Sequence, residues 1–290
     1  MMTSTALLKI PRILPLDQLN TQSLAPVMLF WRQNFLLIKP ASGLAPKQTE
    51  QILPALQNRQ WFEYCLRYSP VKAVRLDMLL GEDTLRDWAD ACDRTGKRTF
   101  IHLPSASCLP RIRAPWRWGL KRLADWLVAA SLLVCLSPVL FLLIILTRLD
   151  SPGPIFFRQW KVGDRGQLFQ IFKFRTKRHG AKKRRRSLDK LPQLLNVLRG
   201  EMSLVGPRPL DLHEAFRLSP NSQKRLNALP GLISWCQVKM RDSNQPGSNQ
   251  PSLEIRSQVD LNYLRNWSLK RDLWIILLAI PKGFSSLIFP

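Results

Sequence analysis

Leu123 to Thr147 reads LADWLVAASLLVCLSPVLFLLIILT, and its reading decides the architecture. A run this long and apolar can cross a bilayer as one helix of about 20 residues. Two features argue for a different course. Basic residues flank both ends, with Arg111, Arg113, Arg117, Lys121 and Arg122 before the run and Arg148, Arg158 and Lys161 after it. The positive-inside tendency then favours both ends on the same, cytoplasmic face. Ser137-Pro138 also stands near the middle, where proline removes a backbone donor and kinks or breaks a helix. Together these features predict a re-entrant hairpin, broken at Ser137-Pro138, that dips into one leaflet and returns. A kinked but fully spanning helix is the alternative. Trp116, Trp118 and Trp126 bracket the start of the run, where indoles favour the interface.

The chain on either side is different in kind. It has 290 residues, 46% of them hydrophobic, and a formal net charge of +24. That is enough apolar material for a real core, and the charge points to polyanionic partners: nucleic acid, anionic lipid or phosphorylated substrates. Residues 1–110 read as a small α/β domain, regulatory or docking in role. Val71 to Leu79 reads as a buried strand, Glu82 to Gly96 as an amphipathic helix ended by glycine, and Arg98 to Leu103 as a second strand, giving a β-α-β crossover. An earlier helix is predicted over roughly Gln48 to Arg67. Five widely spaced cysteines and three isolated histidines offer neither a disulfide framework nor a zinc site. The first thirty or so residues lack a signal-peptide pattern, so the soluble parts are expected on the reducing, cytoplasmic side.

Residues 111–150 form the membrane-approach segment and hairpin, and residues 151–290 a cytoplasmic-face domain. There QLFQIFKFRT, Gln167 to Thr176, alternates like a strand, and Lys173 to Arg186 holds nine lysines and arginines without an acid. Such a loop suits headgroups or bound phosphate. Next comes SLDKLPQLLNVLRGEMSLVGPRP, Ser187 to Pro209. Asp189 reads as the N-cap of a short helix with Pro192 in its first turn, a stripe of Leu191, Leu194, Leu195 and Leu198, and Gly200 as its stop. A carboxylate at a helix N-terminus among arginines stays ionised, and can be a nucleophile or simply a cap. Gly206, Pro207 and Pro209 make a rigid turn that presents Arg208, whose guanidinium is a natural phosphate fork. An ionised aspartate, a basic loop and a fixed arginine beside a membrane hairpin point to phosphoryl chemistry at the interface.

GPIFFRQWKVG, FQIFKFRT, SLDKLPQLLNVLRGEMSLVGPRP and LPGLISWCQV, in that order, resemble the bacterial sugar transferases, the monotopic polyprenyl-phosphate hexose-1-phosphate transferases. The likeness runs from about Lys121 to about Pro290. A narrower likeness is to a cyanobacterial subgroup associated with heterocyst envelope polysaccharide. After the α/β N-terminal domain read above, the resemblance implies a mainly α, monotopic catalytic-type domain with a re-entrant hairpin, located at the cytoplasmic face of the inner (plasma) membrane. It implies a phosphoglycosyl transferase in which Asp189 attacks the β-phosphate of a nucleotide-sugar, a UDP-hexose being the expected donor. A polyprenyl phosphate then takes the sugar-phosphate, initiating polysaccharide or glycoconjugate synthesis. Arg184 and Arg208, with Lys173 and Arg175, match the family's phosphate region, and Asp260, Tyr263 and Asp272 a segment beside the site. Partners implied are membrane lipids and other polysaccharide-assembly enzymes.

One position departs from the family pattern. The family pairs Asp with a Glu that helps hold Mg²⁺, whereas Lys190 follows Asp189 here, and a charged lysine repels a cation. The loop before the dyad is also short. Lys190 can then take over part of the Mg²⁺ role, Glu201 can recruit the metal, or the protein is a catalytically silent scaffold or lipid-phosphate binder in the same pathway. Nucleic acid is not expected as a partner, because no helix-turn-helix, zinc finger or aromatic RNA-binding motif accompanies the charge.

Overall fold

The structure, a computed structural model, describes residues 27–32, 34–40, 59–104, 106, 109–150, 153, 155–174, 188–240 and 252–288. The N-terminal part is a four-stranded sheet in the order β1-β2-β3-β4. β1 (Val27–Arg32) pairs antiparallel with β2 (Phe35–Pro40), while β3 (Ala73–Leu76) runs parallel to both β2 and β4 (Arg98–Ile101). α1 (Arg59–Tyr68) precedes β3, and α2 (Glu82–Arg94) is the crossover between β3 and β4. Parallel neighbours need such a crossover, because a tight hairpin can only reverse the chain. The β-α-β unit read from sequence is therefore present, with its first strand ending at Leu76 and a 3₁₀ turn over Met78–Leu80. The expected earlier helix is seen from Arg59 onward, and its first half lies outside the described residues. Leu36, Ile38, Val74, Leu76, Leu85 and Trp88 fill the core between sheet and helices.

The apolar run belongs to α3 (Pro115–Asp150), a helix of 36 residues. The helix is continuous through Pro138, where sequence predicts a break. Proline cannot donate to the carbonyl four residues earlier, which is that of Val134. The Ser137 hydroxyl takes the vacant place, donating to Val134 O at 2.8 Å. Ser-Pro thus carries its own repair for the missing backbone bond.

Only one edge of this helix is inside the protein. Lys121, Asp125 and Ala129, spaced four apart, are buried, whereas Val134, Phe141 and Leu142 are well exposed. A contiguous exposed apolar surface of this kind marks a surface that meets lipid or a partner. Lys121 corrects its expected role at the lipid surface. Its Nζ lies 2.7 Å from Asp272 Oδ2 and 3.5 Å from Asp125 Oδ2. The Ser203 hydroxyl donates to Asp125 Oδ2 at 2.5 Å. Lys161 is likewise a buried ion-pair partner, 2.7 Å from Asp211 Oδ1, and not a headgroup contact.

After α3, β5 (Phe156–Val162) and β6 (Leu168–Phe174) form a hairpin, and β5 also pairs with β8 (Leu210–Asp211). A 3₁₀ segment over Leu188–Gln193 leads into α4 (Leu194–Leu198). β7 (Ser203–Val205) pairs parallel with β9 (Gly231–Ile233), and α5 (Leu212–Phe216) follows β8. α6 (Trp235–Met240), α7 (Leu253–Arg265) and α8 (Leu269–Ile288) complete the domain, so residues 151–290 combine helices with two small sheets. Where β7 turns, a Cβ on Gly231 would collide with the Gly206 backbone, and one on Gly206 would meet Gly231 N and Leu229 O at 2.8 Å. Two backbones touch there, and only glycine permits it.

The Lys121 cluster makes the root of α3 part of the fold. Replacing one member of a buried ion pair strands the others, at a cost of about 3–5 kcal/mol. Lys121→Met is expected to lower thermal stability by that order in detergent-solubilised protein, read by circular dichroism. A loss below about 1 kcal/mol, the range of exposed pairs, would show that the cluster is not a structural tie.

Candidate functional site

Asp189 and Lys190 lie within the 3₁₀ segment Leu188–Gln193, not at the cap of an α-helix as the sequence suggests. Their side chains, with Arg175 and Arg184, lie outside the described residues. The tighter 3₁₀ turn carries three residues per turn and rotates the following face. Leu194 and Val197 are buried, Asn196 is fully buried, and Leu195 is 40% exposed, so the expected leucine stripe is shifted. The segment packs against β6, which places the backbone of the Asp-Lys pair alongside the strand that carries Lys173. Lys173 Nζ donates to Gln159 Oε1 at 2.9 Å across the hairpin. Gly200 closes α4 at φ 84, and Arg122 fixes the next turn by donating to Gly200 O and Met202 O at 3.1 and 2.9 Å.

Arg208 is held from three sides. Its backbone N–H donates to Asp260 Oδ2 at 3.3 Å, its carbonyl accepts from Arg225 Nη2 at 2.7 Å, and its guanidinium donates to Glu214 Oε1 at 3.1 Å. The side chain stays 32% exposed, so the group is oriented yet accessible. A guanidinium presented this way can receive a phosphate with little further ordering cost.

Behind it is a pair of which sequence reasoning named Asp260 and missed Arg225. Arg225 is buried and lies 3.1 Å from Asp260 Oδ2. Arg225 Nη1 donates to Ser257 Oγ at 3.0 Å, and the Ser234 hydroxyl donates to Asp260 Oδ1 at 3.2 Å. Burial pushes the Asp260 carboxyl up from the ordinary range, and Arg225 is the largest influence pulling it back. No pattern in QKRLNALPG distinguishes Arg225 from the many surface cations of this chain.

Tyr263 and Asp272 belong to the other cluster. The Tyr263 hydroxyl donates to Asp272 Oδ1 at 2.5 Å and Trp267 Nε1 to Asp272 Oδ2 at 3.0 Å. Burial raises the Tyr263 phenol well above its usual range, and the neighbouring Asp272 carboxylate adds to the shift, so it remains a hydrogen-bond donor. These residues anchor α8 to the root of α3. Trp267, just before α8, packs partly buried against the core, while Trp274 within α8 is 51% exposed with its ring 5.4 Å from that of Trp235.

Glu201 accepts from Asn196 Nδ2 at 2.6 Å, and burial pushes its carboxyl up. Among the described residues no three His, Cys, Asp or Glu side chains converge on a common point. Glu201 is engaged by the Asn196 amide.

Comparison with known proteins matches residues 116–286 to the bacterial sugar transferase family. A UDP-glucose:undecaprenyl-phosphate glucose-1-phosphate transferase of Caulobacter vibrioides is 38% identical over 197 residues, covering 60% of this chain and 72% of the relative. The uncharacterized sugar transferase EpsL of Bacillus subtilis is 35% identical over 181 residues, 56% of this chain and 86% of that protein. A UDP-glucose:undecaprenyl-phosphate glucose-1-phosphate transferase of Escherichia coli is 35% identical over 188 residues, which make up 57% of this chain and only 40% of the relative. The family match takes in the Asp189 turn, Arg208 and the Arg225–Asp260 pair, and this chain belongs to the bacterial sugar transferase family.

Proposed function

We propose that this protein transfers a sugar-1-phosphate from a nucleotide-sugar, a UDP-hexose, to a membrane polyprenyl phosphate. The observation that carries the reading is the family match over residues 116–286, together with relatives named for that transfer. An Asp189 carboxylate oxygen attacks the β-phosphorus of the donor, the bridging P–O bond breaks, and the nucleoside monophosphate leaves with that electron pair. An oxygen of the polyprenyl phosphate then attacks the aspartyl-bound phosphorus, forming a new P–O–P bond and returning the free carboxylate. Arg208, and the basic stretch with Lys173, Arg175 and Arg184, neutralise the transferring phosphate charge. Lys190 lies next to the nucleophile in sequence and acts as a point charge where the family resemblance implies a glutamate.

We infer that the protein sits at the cytoplasmic face of the inner membrane, with α3 bending at Ser137-Pro138 without losing its helical continuity, so that both of its ends return to one face. Support comes from basic residues at both ends of α3 and from the exposed apolar surface beyond Ala129. Single reporter cysteines at Arg113 and Arg158, in protein cleared of its native cysteines, are expected to react with an impermeant maleimide only from the cytoplasmic side. Opposite-side labelling of the two would make α3 a spanning helix.

A second reading, a catalytically silent scaffold or lipid-phosphate binder for the assembly enzymes of the pathway, rests on Lys190. Release of nucleoside monophosphate from UDP-sugars in nanodiscs containing polyprenyl phosphate, with and without Mg²⁺, separates the two. Wild-type protein is expected to release it and Asp189→Asn to lose about 10³-fold or more. Arg208→Ala is expected to lose about 10²-fold, as for removal of one preorganised donor to a developing anion. Absence of release from folded wild-type protein under every condition would leave the scaffold reading. Mg²⁺-independent release would assign the charge-balancing role to Lys190.

A further inference from the structure

A cleft of about 600 Å³ opens between β4 and the β5–β6 hairpin, well inside the size range of small-molecule sites. It joins the family domain to the N-terminal sheet, since Lys97 and Arg98 come from residues before the matched stretch and Arg158 and Arg199 from within it. Phe169 and Ile171, on the face of β6 that carries Lys173, pack with Leu194 and Val197 of α4. Side chains alternate along a strand, so Gln170 and Phe172 face the cleft, whereas Lys173 bonds Gln159 on the opposite face.

The cations here are unusual in how they are spent. Arg158 and Arg199 both stand over the Phe172 ring, with guanidinium carbons 5.6 and 4.9 Å from its centroid. Stacking uses the flat face of a guanidinium and leaves its N–H edge free to fork onto an oxyanion. Arg158 and Arg199 are exposed, as is Arg98, and among the described residues none of the three forms an ion pair. Lys97 donates to the Ser69 carbonyl at 3.1 Å, a neutral partner that leaves its charge uncompensated. Two carboxylates also line the cleft, and both have neutral partners. Asp93 accepts from Gln170 Nε2 at 3.4 Å and Glu201 from Asn196 Nδ2 at 2.6 Å. Four cations thus face two acids in one concavity.

We propose that this cleft is a second anion site, taking a phosphate-bearing ligand the size of a nucleoside diphosphate and lying outside the transfer site. Such a ligand bridges Lys97 and Arg98 of the N-terminal sheet to Arg158 and Arg199 of the family domain. It reinforces the existing ties between the two, the Trp160 Nε1 bond to Asp90 Oδ1 at 2.7 Å and the Phe100↔Gln167 bridge. This gives the N-terminal domain a role as a sensor of phosphorylated metabolite or anionic headgroup.

The test is calorimetric titration of inorganic pyrophosphate and of UDP into the full chain in phosphatidylcholine nanodiscs, comparing wild type with Arg98→Gln/Arg158→Gln. Both positions are exposed, and neither is placed in the transfer machinery. Binding is expected to weaken at least about tenfold in the double variant, to weaken with added salt, and to be partly restored in Arg98→Lys/Arg158→Lys, which keep the charge and lose the fork. The KM for the nucleotide-sugar is expected to stay unchanged. Repeating the titration with phosphatidylglycerol discs separates the sources, since competition by lipid identifies a headgroup site and its absence a soluble ligand. Unchanged pyrophosphate affinity in the glutamine variant overturns the proposal. So does a loss of binding matched by an equal rise in KM, which would make the cleft part of the transfer site.

Discussion

The buried Arg225–Asp260 pair is the constraint on which the rest of the site depends. Burying two charges carries a desolvation cost of several kcal/mol per ion, offset only when geometry and accessory hydrogen bonds are good. Here Ser257, Ser234 and both backbone groups of Arg208 complete the set. Four separate stretches of chain therefore meet at one point: the turn after β7, the 3₁₀ turn containing Arg225, the start of α6 and the middle of α7. Hydrophobic packing alone could hold these elements together, but it would not fix the Arg208 backbone. The ion pair gives direction as well as cohesion, fixing the Arg208 backbone while its guanidinium, paired with Glu214, stays partly exposed.

A second polar cluster does the same for the long apolar helix α3. Lys121 and Asp125 on α3 meet Asp272 on α8 and Ser203 on β7, and Tyr263 and Trp267 close the ring. The root of α3 is thus fastened to the strand just before the Arg208 turn. Past Ala129 the helix has little protein around it, and its exposed apolar surface is suited to lipid or a partner. A fixed angle between that surface and Arg208 is what a reaction between a soluble donor and a lipid phosphate requires.

Much of this architecture was legible in the sequence where one period dominated. The β3-α2-β4 crossover, β6 and the glycine stop of α4 all carried clear alternation or end signals. β1 and β2 did not, since VMLFWR and FLLIKP are short apolar runs with no alternation to mark them. Pro138 signalled a break that the neighbouring Ser137 hydroxyl repairs, a local exchange of one donor for another that a proline rule does not register. Arg225 and Lys121 were hidden for another reason. In a chain with a net charge of +24, two buried cations look like every other lysine and arginine until their carboxylate partners are seen in space. The Asp189 turn was found from its motif, while the 3₁₀ geometry that shifts its leucines follows from packing against β6.

Lys190 beside the proposed nucleophile separates this chain from the pattern that the family resemblance implies, and the direct question is whether Asp189 ever carries the sugar-phosphate. Intact-protein and peptide mass spectrometry after incubation with UDP-sugar, in discs lacking polyprenyl phosphate, answers it. The account predicts an adduct of one hexose-phosphate on the peptide containing Asp189, absent from Asp189→Asn and discharged when polyprenyl phosphate is added. Turnover with no adduct on that peptide, or an adduct that persists in Asp189→Asn, would contradict it.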